Sequence, residues 1–206
     1  MTLRVLPCGE RAVLVELDDL DHVLGLQRAL AAATPPGVQE WVPAARTVLV
    51  RFDPSVTTPA RLADALAALP PSSAAMVTGP LVELEVRYDG ADLAGVAAFA
   101  GCDADEVVAR HVAPTYTVAF CGFTPGFAYL TGGDPTLRIP RLASPRTRVP
   151  AGSVAVADEY SAVYPGATPG GWRLLGRTDA ILWDAAADPP ARLAPGTRVR
   201  FRPVPW

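Results

Sequence analysis

The sequence predicts an α+β chain in two parts, a compact α/β sandwich of ferredoxin-like type followed by a small barrel or sandwich of short strands. Three observations carry this. Strand-like and helix-like stretches alternate twice before residue 70, with short connections between them. A Pro70-Pro71-Ser72-Ser73 break follows, and the boundary is placed near Thr78–Pro80, giving parts of 1–79 and 80–206. Beyond Thr115 no helical period remains, only short runs separated by Gly- and Pro-containing turns.

In chain order, Arg11–Leu17 reads as a strand after the turn at Pro7-Cys8-Gly9. Asp21–Ala33 reads as a helix with Val23, Leu24, Leu26, Leu30 and Ala31 near one face, ended by Pro35-Pro36-Gly37. Arg46–Phe52 alternates as a strand, and Pro59–Leu69 is a helix with Thr58 as N-cap and Pro59 in the first turn. Leu81–Tyr88 alternates as LVELEVRY, a half-buried strand. Two short helices follow, Asp92–Ala100 and Asp103–Val112, the second with Asp103 as N-cap and Glu106 three residues on. The remaining strands are Tyr116–Phe120, Ser153–Ala157, Trp172–Gly176, Ala180–Trp183 and Arg198–Arg202.

Half of the 206 residues are hydrophobic, ample for a core, and no apolar run reaches the roughly 18 residues that span a bilayer. The first residues carry acidic and polar side chains where a signal peptide needs an unbroken apolar region, so a soluble cytoplasmic protein is expected. All eighteen basic residues are Arg, which excludes Schiff-base lysine chemistry and any P-loop. A net charge of −3 without a basic stripe argues against a nucleic-acid partner. Cys8, Cys102 and Cys121 lack CxxC spacing and read as buried small hydrophobes. With only His22 and His111 present, no metal site is expected.

The stretch from Phe120 to Thr178 is dense in Gly, Pro, Arg and aromatic residues. Such constrained segments form shaped walls more often than filler. Arg138, Arg141, Arg146, Arg148, Arg173 and Arg177 cluster there, and Arg146 and Arg148 project from one face of an extended segment. Two guanidiniums on one face need an anion or an acidic partner, and a carboxylate or phosphate ligand suits their fork geometry. Pairing with Asp134, Asp158, Glu159 and Asp179 is the alternative. His111 ends a helix near this region and is the candidate acid–base residue, although the helix dipole alone favours a histidine there. Tyr129 and Tyr164 sit beside Gly/Pro turns and are placed to offer hydroxyls to a cavity. Phe123, Phe127 and Trp172 read as packing or as the aromatic walls of a ligand cleft.

The run Gly122-Phe123-Thr124-Pro125-Gly126-Phe127-Ala128-Tyr129-Leu130 resembles the GF-x-PGF-x-YL motif of the allophanate hydrolase subunit 1/KipI family. Pro145-Arg146-Thr147-Arg148-Val149-Pro150-Ala151-Gly152-Ser153-Val154 is similar to its PRTRVPAGSV motif without a substitution. Tyr164-Pro165, then Thr168-Pro169-Gly170-Gly171-Trp172, resembles its YP…SPGGW motif, and Gly176-Arg177-Thr178 completes the series. The resemblance extends over the length of the chain. It implies a small α/β domain followed by a cyclophilin-like β-barrel, the carboxyltransferase subdomains C and D.

That family includes the kinase inhibitor KipI and the PxpB component of bacterial ATP-dependent 5-oxoprolinase. The resemblance therefore implies a non-autonomous hydrolase subunit that opens 5-oxo-L-proline to L-glutamate. The implied partners are a companion KipA/PxpC-type subunit (allophanate hydrolase subunit 2) and a PxpA-type third subunit. The alternatives are a KipI-like histidine-kinase inhibitor, or a subunit of an allophanate or urea amidolyase. The candidate catalytic residues are His111, Arg146, Arg148 and Tyr164. The candidate substrate-binding residues are Phe123, Gly126, Phe127, Tyr129, Gly152, Ser153, Pro169, Gly170, Gly171, Trp172 and Arg177. ATP is expected as cosubstrate, bound at a shared interface or on another subunit, because the chain has no nucleotide motif. One departure stands out: Tyr160-Ser161-Ala162-Val163 occupies the place of the family's Gln-Thr-Gly-Ile, which changes the polar groups offered to a ligand.

Overall fold

A computed structural model describes residues 3–69 and 79–205. The break at Pro70–Ser73 and the boundary residue Thr78 fall outside the described residues. The chain divides into two compact units, Met1–Met76 and Val77–Trp206.

In the first unit, β1 (Arg4–Pro7), β2 (Ala12–Glu16), β3 (Val38–Pro43) and β4 (Thr47–Phe52) form an antiparallel sheet in the order β1-β2-β4-β3. Two helices accompany it, α1 (Leu20–Ala32) and α2 (Pro59–Ala67). β1 and β3 went unrecognised in the sequence because each is only partly buried and neither alternates cleanly. The fourth strand comes from the N-terminus, so the chain order is ββαββα rather than the βαββαβ of a ferredoxin-like sandwich. Alternation on β2 and β4 buries Val13, Val15, Val48, Val50 and Phe52 against Val23, Leu26 and Leu30 of α1 and Leu62 and Leu66 of α2. On α1 it is Ala29, not Ala31, that is buried. Asp19 caps α1, accepting from the His22 amide at 2.9 Å, and Thr58 caps α2, accepting from the Arg61 amide at 3.3 Å.

The second unit is built on a seven-stranded sheet. Its strands are β5 (Leu81–Val86), β6 (Tyr116–Cys121), β7 (Ala128–Thr131), β9 (Ser153–Ala157), β10 (Tyr160–Val163), β12 (Arg173–Arg177) and β13 (Arg198–Pro203), in the order β12-β9-β10-β7-β6-β13-β5. β5 and β13 run parallel and the other pairs antiparallel. The two ends approach each other: Arg87, just after β5, and Arg177 on β12 exchange both backbone hydrogen bonds at 2.9 Å. The sheet is a nearly closed barrel, which leaves few open strand edges. A separate ribbon pairs β8 (Arg146–Val149) with β11 (Thr168–Gly170). Two helices, α3 (Leu93–Ala100) and α4 (Ala104–Val112), belong to the same unit, and Asp103 caps α4 by accepting from the Glu106 amide at 2.8 Å.

Two expectations need correction. Ala180–Trp183 is not a strand; Trp183 makes a single bridge to Ala191, beside Pro189 and Pro190, which have no amide to extend a ladder. The cysteines are free, but Cys8 is exposed in the turn between β1 and β2, and Cys102 and Cys121 are only half-buried. Among the described residues no helix is long and apolar enough to cross a membrane, and no three His, Cys, Asp or Glu side chains converge as metal ligands.

Candidate functional site

Three of the sequence motifs meet around one cavity of about 170 Å³ in the second unit. Its first wall is the turn between β6 and β7. Thr124-Pro125-Gly126-Phe127 is a type II turn: the Phe127 amide donates to the Thr124 carbonyl at 3.0 Å, Pro supplies the second position, and Gly126 takes φ +79° at the third. The turn seats Phe127, 1% exposed, at the centre of an aromatic cluster. Its ring meets Phe123, Tyr129, Tyr164 and Trp172 edge-on, at centroid distances of 5.3, 5.1, 5.3 and 5.5 Å. Phe123 is held differently. It is 60% exposed at the rim and has φ +71°, a left-handed backbone that non-glycine residues seldom adopt.

The second wall is the Pro169–Trp172 segment, where Gly170 leaves no room for a side chain because the Tyr164 hydroxyl occupies that space. Arg141 and Pro145 complete the lining. Burial raises the pKa of both the Tyr129 and Tyr164 phenols, against smaller opposing pulls from Arg141 at Tyr129 and from the Trp172 amide and then Arg141 at Tyr164. Both hydroxyls are therefore protonated at neutral pH. The cavity thus presents two phenol O–H groups and one guanidinium between flat aromatic walls, which suits a small, planar, acceptor-rich ligand carrying negative charge.

Of the residues singled out in the sequence, Phe123, Phe127, Tyr129, Tyr164, Pro169, Gly170, Gly171 and Trp172 line this cavity. Arg146 does not. Its Nη2 donates to Asp92 Oδ1 at 2.7 Å and its Nη1 lies 3.5 Å from the Trp172 carbonyl, so the acidic partner that two neighbouring guanidiniums require is a residue of the chain itself. Arg148 is exposed on β8 and outside the lining. Arg177 pairs with Asp89 at 2.7 Å at the barrel seam. Gly126 supports the turn, and Gly152 and Ser153 act through backbone bonds: the Gly152 amide donates to the Tyr164 carbonyl at 2.8 Å, and the Ser153 carbonyl accepts from the Tyr164 amide at 2.9 Å. Arg141 is the lining residue that the motifs did not isolate; its only signal was membership of the arginine cluster.

His111 is displaced furthest from expectation. It is fully buried in the core, stacked on Phe201 at 4.5 Å, and is not part of the cavity lining. Ser161 Oγ donates to the Ala155 carbonyl at 3.2 Å, so it accepts from His111 Nε2–H at 2.9 Å. Nδ1 is then the acceptor for the Tyr88 hydroxyl at 2.8 Å. The ring is a neutral link in a buried polar chain, and burial lowers its pKa to about 3. An unfolded histidine titrates near 6.5 and so binds a proton that the folded one refuses. Stability is expected to fall as pH drops from about 6.5 toward about 3, and less steeply in His111→Gln. Urea midpoints at several pH values check this; parallel declines for the two proteins would remove His111 as the cause.

The model of the carboxyltransferase domain, subdomain C and D, matches residues 3–193. The chain belongs to this family. A protein named as a 5-oxoprolinase subunit from Escherichia coli O157:H7 is 40% identical over 209 residues, covering 95% of this chain and 93% of its own. The 5-oxoprolinase subunit of the same name from Bacillus subtilis (strain 168) is 40% identical over 124 residues, 59% of this chain and 52% of its own. Among solved structures, TTHA0988 superposes with a TM-score of 0.77 at 39% identity over 95% of this carboxyltransferase-family chain, which spans 40% of that longer chain. The urea amidolyase of K. lactis, at 20% identity and a TM-score of 0.75, shares the fold.

Proposed function

We propose that this chain is one subunit of an ATP-dependent 5-oxoprolinase, the hydrolase that opens the lactam of 5-oxo-L-proline to L-glutamate. The reading is carried by the aromatic cavity with its two phenol hydroxyls and one guanidinium, in a chain 40% identical over 95% of its length to a protein named as a 5-oxoprolinase subunit. A lactam bearing a carboxylate matches that cavity group for group. Arg141 takes the carboxylate, Tyr129 and Tyr164 donate to the amide oxygen, and Phe123 and Trp172 cover the ring and exclude water. Ring opening needs the amide carbonyl polarised, and two phenol donors aimed at its oxygen supply that. Gly152 and Ser153 hold Tyr164 in place through the backbone.

ATP activates the amide oxygen in such a reaction. The cavity, at about 170 Å³, is smaller than pockets that hold nucleotide-sized ligands, roughly 300–1,000 Å³. ATP is therefore kept out of this cavity, and because the chain has no nucleotide motif it is assigned to a shared interface or to another subunit. A companion KipA/PxpC-type subunit, with a PxpA-type third, completes the enzyme, and the chain acts in the cytoplasm.

The decisive assay is ATP-dependent glutamate release from 5-oxoproline by this chain co-expressed with those companions, against an omission control. Release that disappears on omission is the expected result. Assembly without glutamate would discard 5-oxoproline as the substrate, and failure to assemble would discard the subunit role.

A further inference from the structure

We infer that Asp92, which no sequence motif contains, is a positioning residue that sets the Trp172 wall of the cavity; the functional part of this inference rests on the 5-oxoprolinase reading. Asp92 stands at the N-cap of α3, where an aspartate ordinarily turns its carboxylate onto the amides of its own helix. Here the side chain makes no capping bond. Both oxygens instead leave the helix: Oδ1 accepts from Arg146 Nη2 at 2.7 Å, and Oδ2 accepts from the Leu174 amide at 2.7 Å. The Asp92 amide also donates to the Leu174 carbonyl at 3.1 Å, so one residue grips both the amide and the carbonyl of Leu174.

The carboxylate is only 11% exposed, and Arg146, on β8, is 28% exposed. Each ion is thereby held to a single geometry, because an unpaired charge in so little water is costly. Arg146 passes the constraint on, since its second nitrogen reaches the Trp172 carbonyl. Trp172 is thus bracketed: Leu174, two residues beyond it, is bonded directly to Asp92, and its own carbonyl is reached through Arg146. Pro145, next to Arg146, and Trp172 both line the cavity. Asp92 itself is not part of the lining, so its action is on the distance between walls. An error of about 1 Å in such a wall costs up to about a hundred-fold in rate.

The test uses protein labelled with 5-fluorotryptophan. Four fluorine resonances are expected, one for each Trp, and Trp172→Phe assigns the one of interest. In Asp92→Asn, which keeps the shape and an acceptor for Leu174 but loses the ion pair, the Trp172 resonance should shift or broaden while that of Trp41, in the other unit, stays put. Arg146→Lys, which keeps the charge but loses the two-nitrogen fork, should move the same resonance with the thermal transition intact. In the assembled complex, Asp92→Asn should raise KM for 5-oxoproline about ten-fold with a smaller change in kcat. Adding Arg146→Lys to it should add little, since both act on one contact. An unmoved Trp172 resonance in both single variants overturns the inference, as does an unchanged KM in an active complex. A moved resonance in a complex that never releases glutamate upholds the wall-setting role and rejects the substrate instead.

Discussion

Arg141→Ala is expected to lower kcat/KM of the assembled complex for 5-oxoproline by roughly ten- to a hundred-fold, from the loss of one charge-assisted hydrogen bond to the substrate carboxylate. Arg141 is the cation in the cavity lining, and it makes no hydrogen bond or ion pair with another side chain among the described residues. Its removal therefore leaves no carboxylate of the chain unsatisfied, and the effect should fall on KM with the melting temperature nearly unchanged. Arg146→Ala should lower the melting temperature as well as raise KM, because it strands the largely buried Asp92 and releases the Trp172 carbonyl. Arg148→Ala, at an exposed position outside the lining, is the comparison for both. Steady-state rates and thermal melts of the three variants separate these roles. A loss at Arg148→Ala equal to that at Arg141→Ala would return anion binding to the β8 face.

Gly152→Ala should cost more than about 3 kcal/mol of stability. Gly152 has φ +77°, which disfavours any L side chain, and a Cβ there would overlap the Thr178 carbonyl oxygen. That carbonyl is part of the backbone and cannot swing aside. The site is also where three motif segments are stitched together: the Gly152 amide donates to the Tyr164 carbonyl and the Gly152 carbonyl accepts from the Thr178 amide, both at 2.8 Å. Displacing it would disturb Tyr164 and hence the cavity. Gly95→Ala, inside α3 with nothing within 4 Å of its Cβ position, should instead stabilise by about 0.5–1 kcal/mol. Urea denaturation of both variants gives the comparison. Equal small effects would mean that the backbone at 152 relaxes freely.

Local chemistry made much of the chain legible. Thr58-Pro59 and Asp103 announced the starts of their helices because a cap is a short-range bond between a side chain and the amide three residues on. The period-two runs at 47–52, 81–86 and 198–203 became strands because alternation is what a one-sided sheet requires. Short strands such as β8 and β11 carry too few residues to show a period, and their pairing comes from elsewhere in the chain. The motifs likewise held most of the cavity lining, since turn chemistry such as Pro125-Gly126 and aromatic content are written locally.

The sequence by itself determined the family, the helix caps, the main alternating strands and the aromatic identity of the cavity wall. Only the tertiary structure decided what each charged or titratable side chain does. Six arginines between residues 138 and 177 look alike as text. Their roles depend on which carboxylate lies within 3 Å, and those carboxylates, Asp92 for Arg146 and Asp89 for Arg177, lie 54 and 88 residues away along the chain. His111 ends a helix like many reactive histidines, yet the barrel closes over it and desolvation suppresses its charge. Conformational preference is a property of neighbours in sequence, whereas electrostatics and burial are properties of neighbours in space.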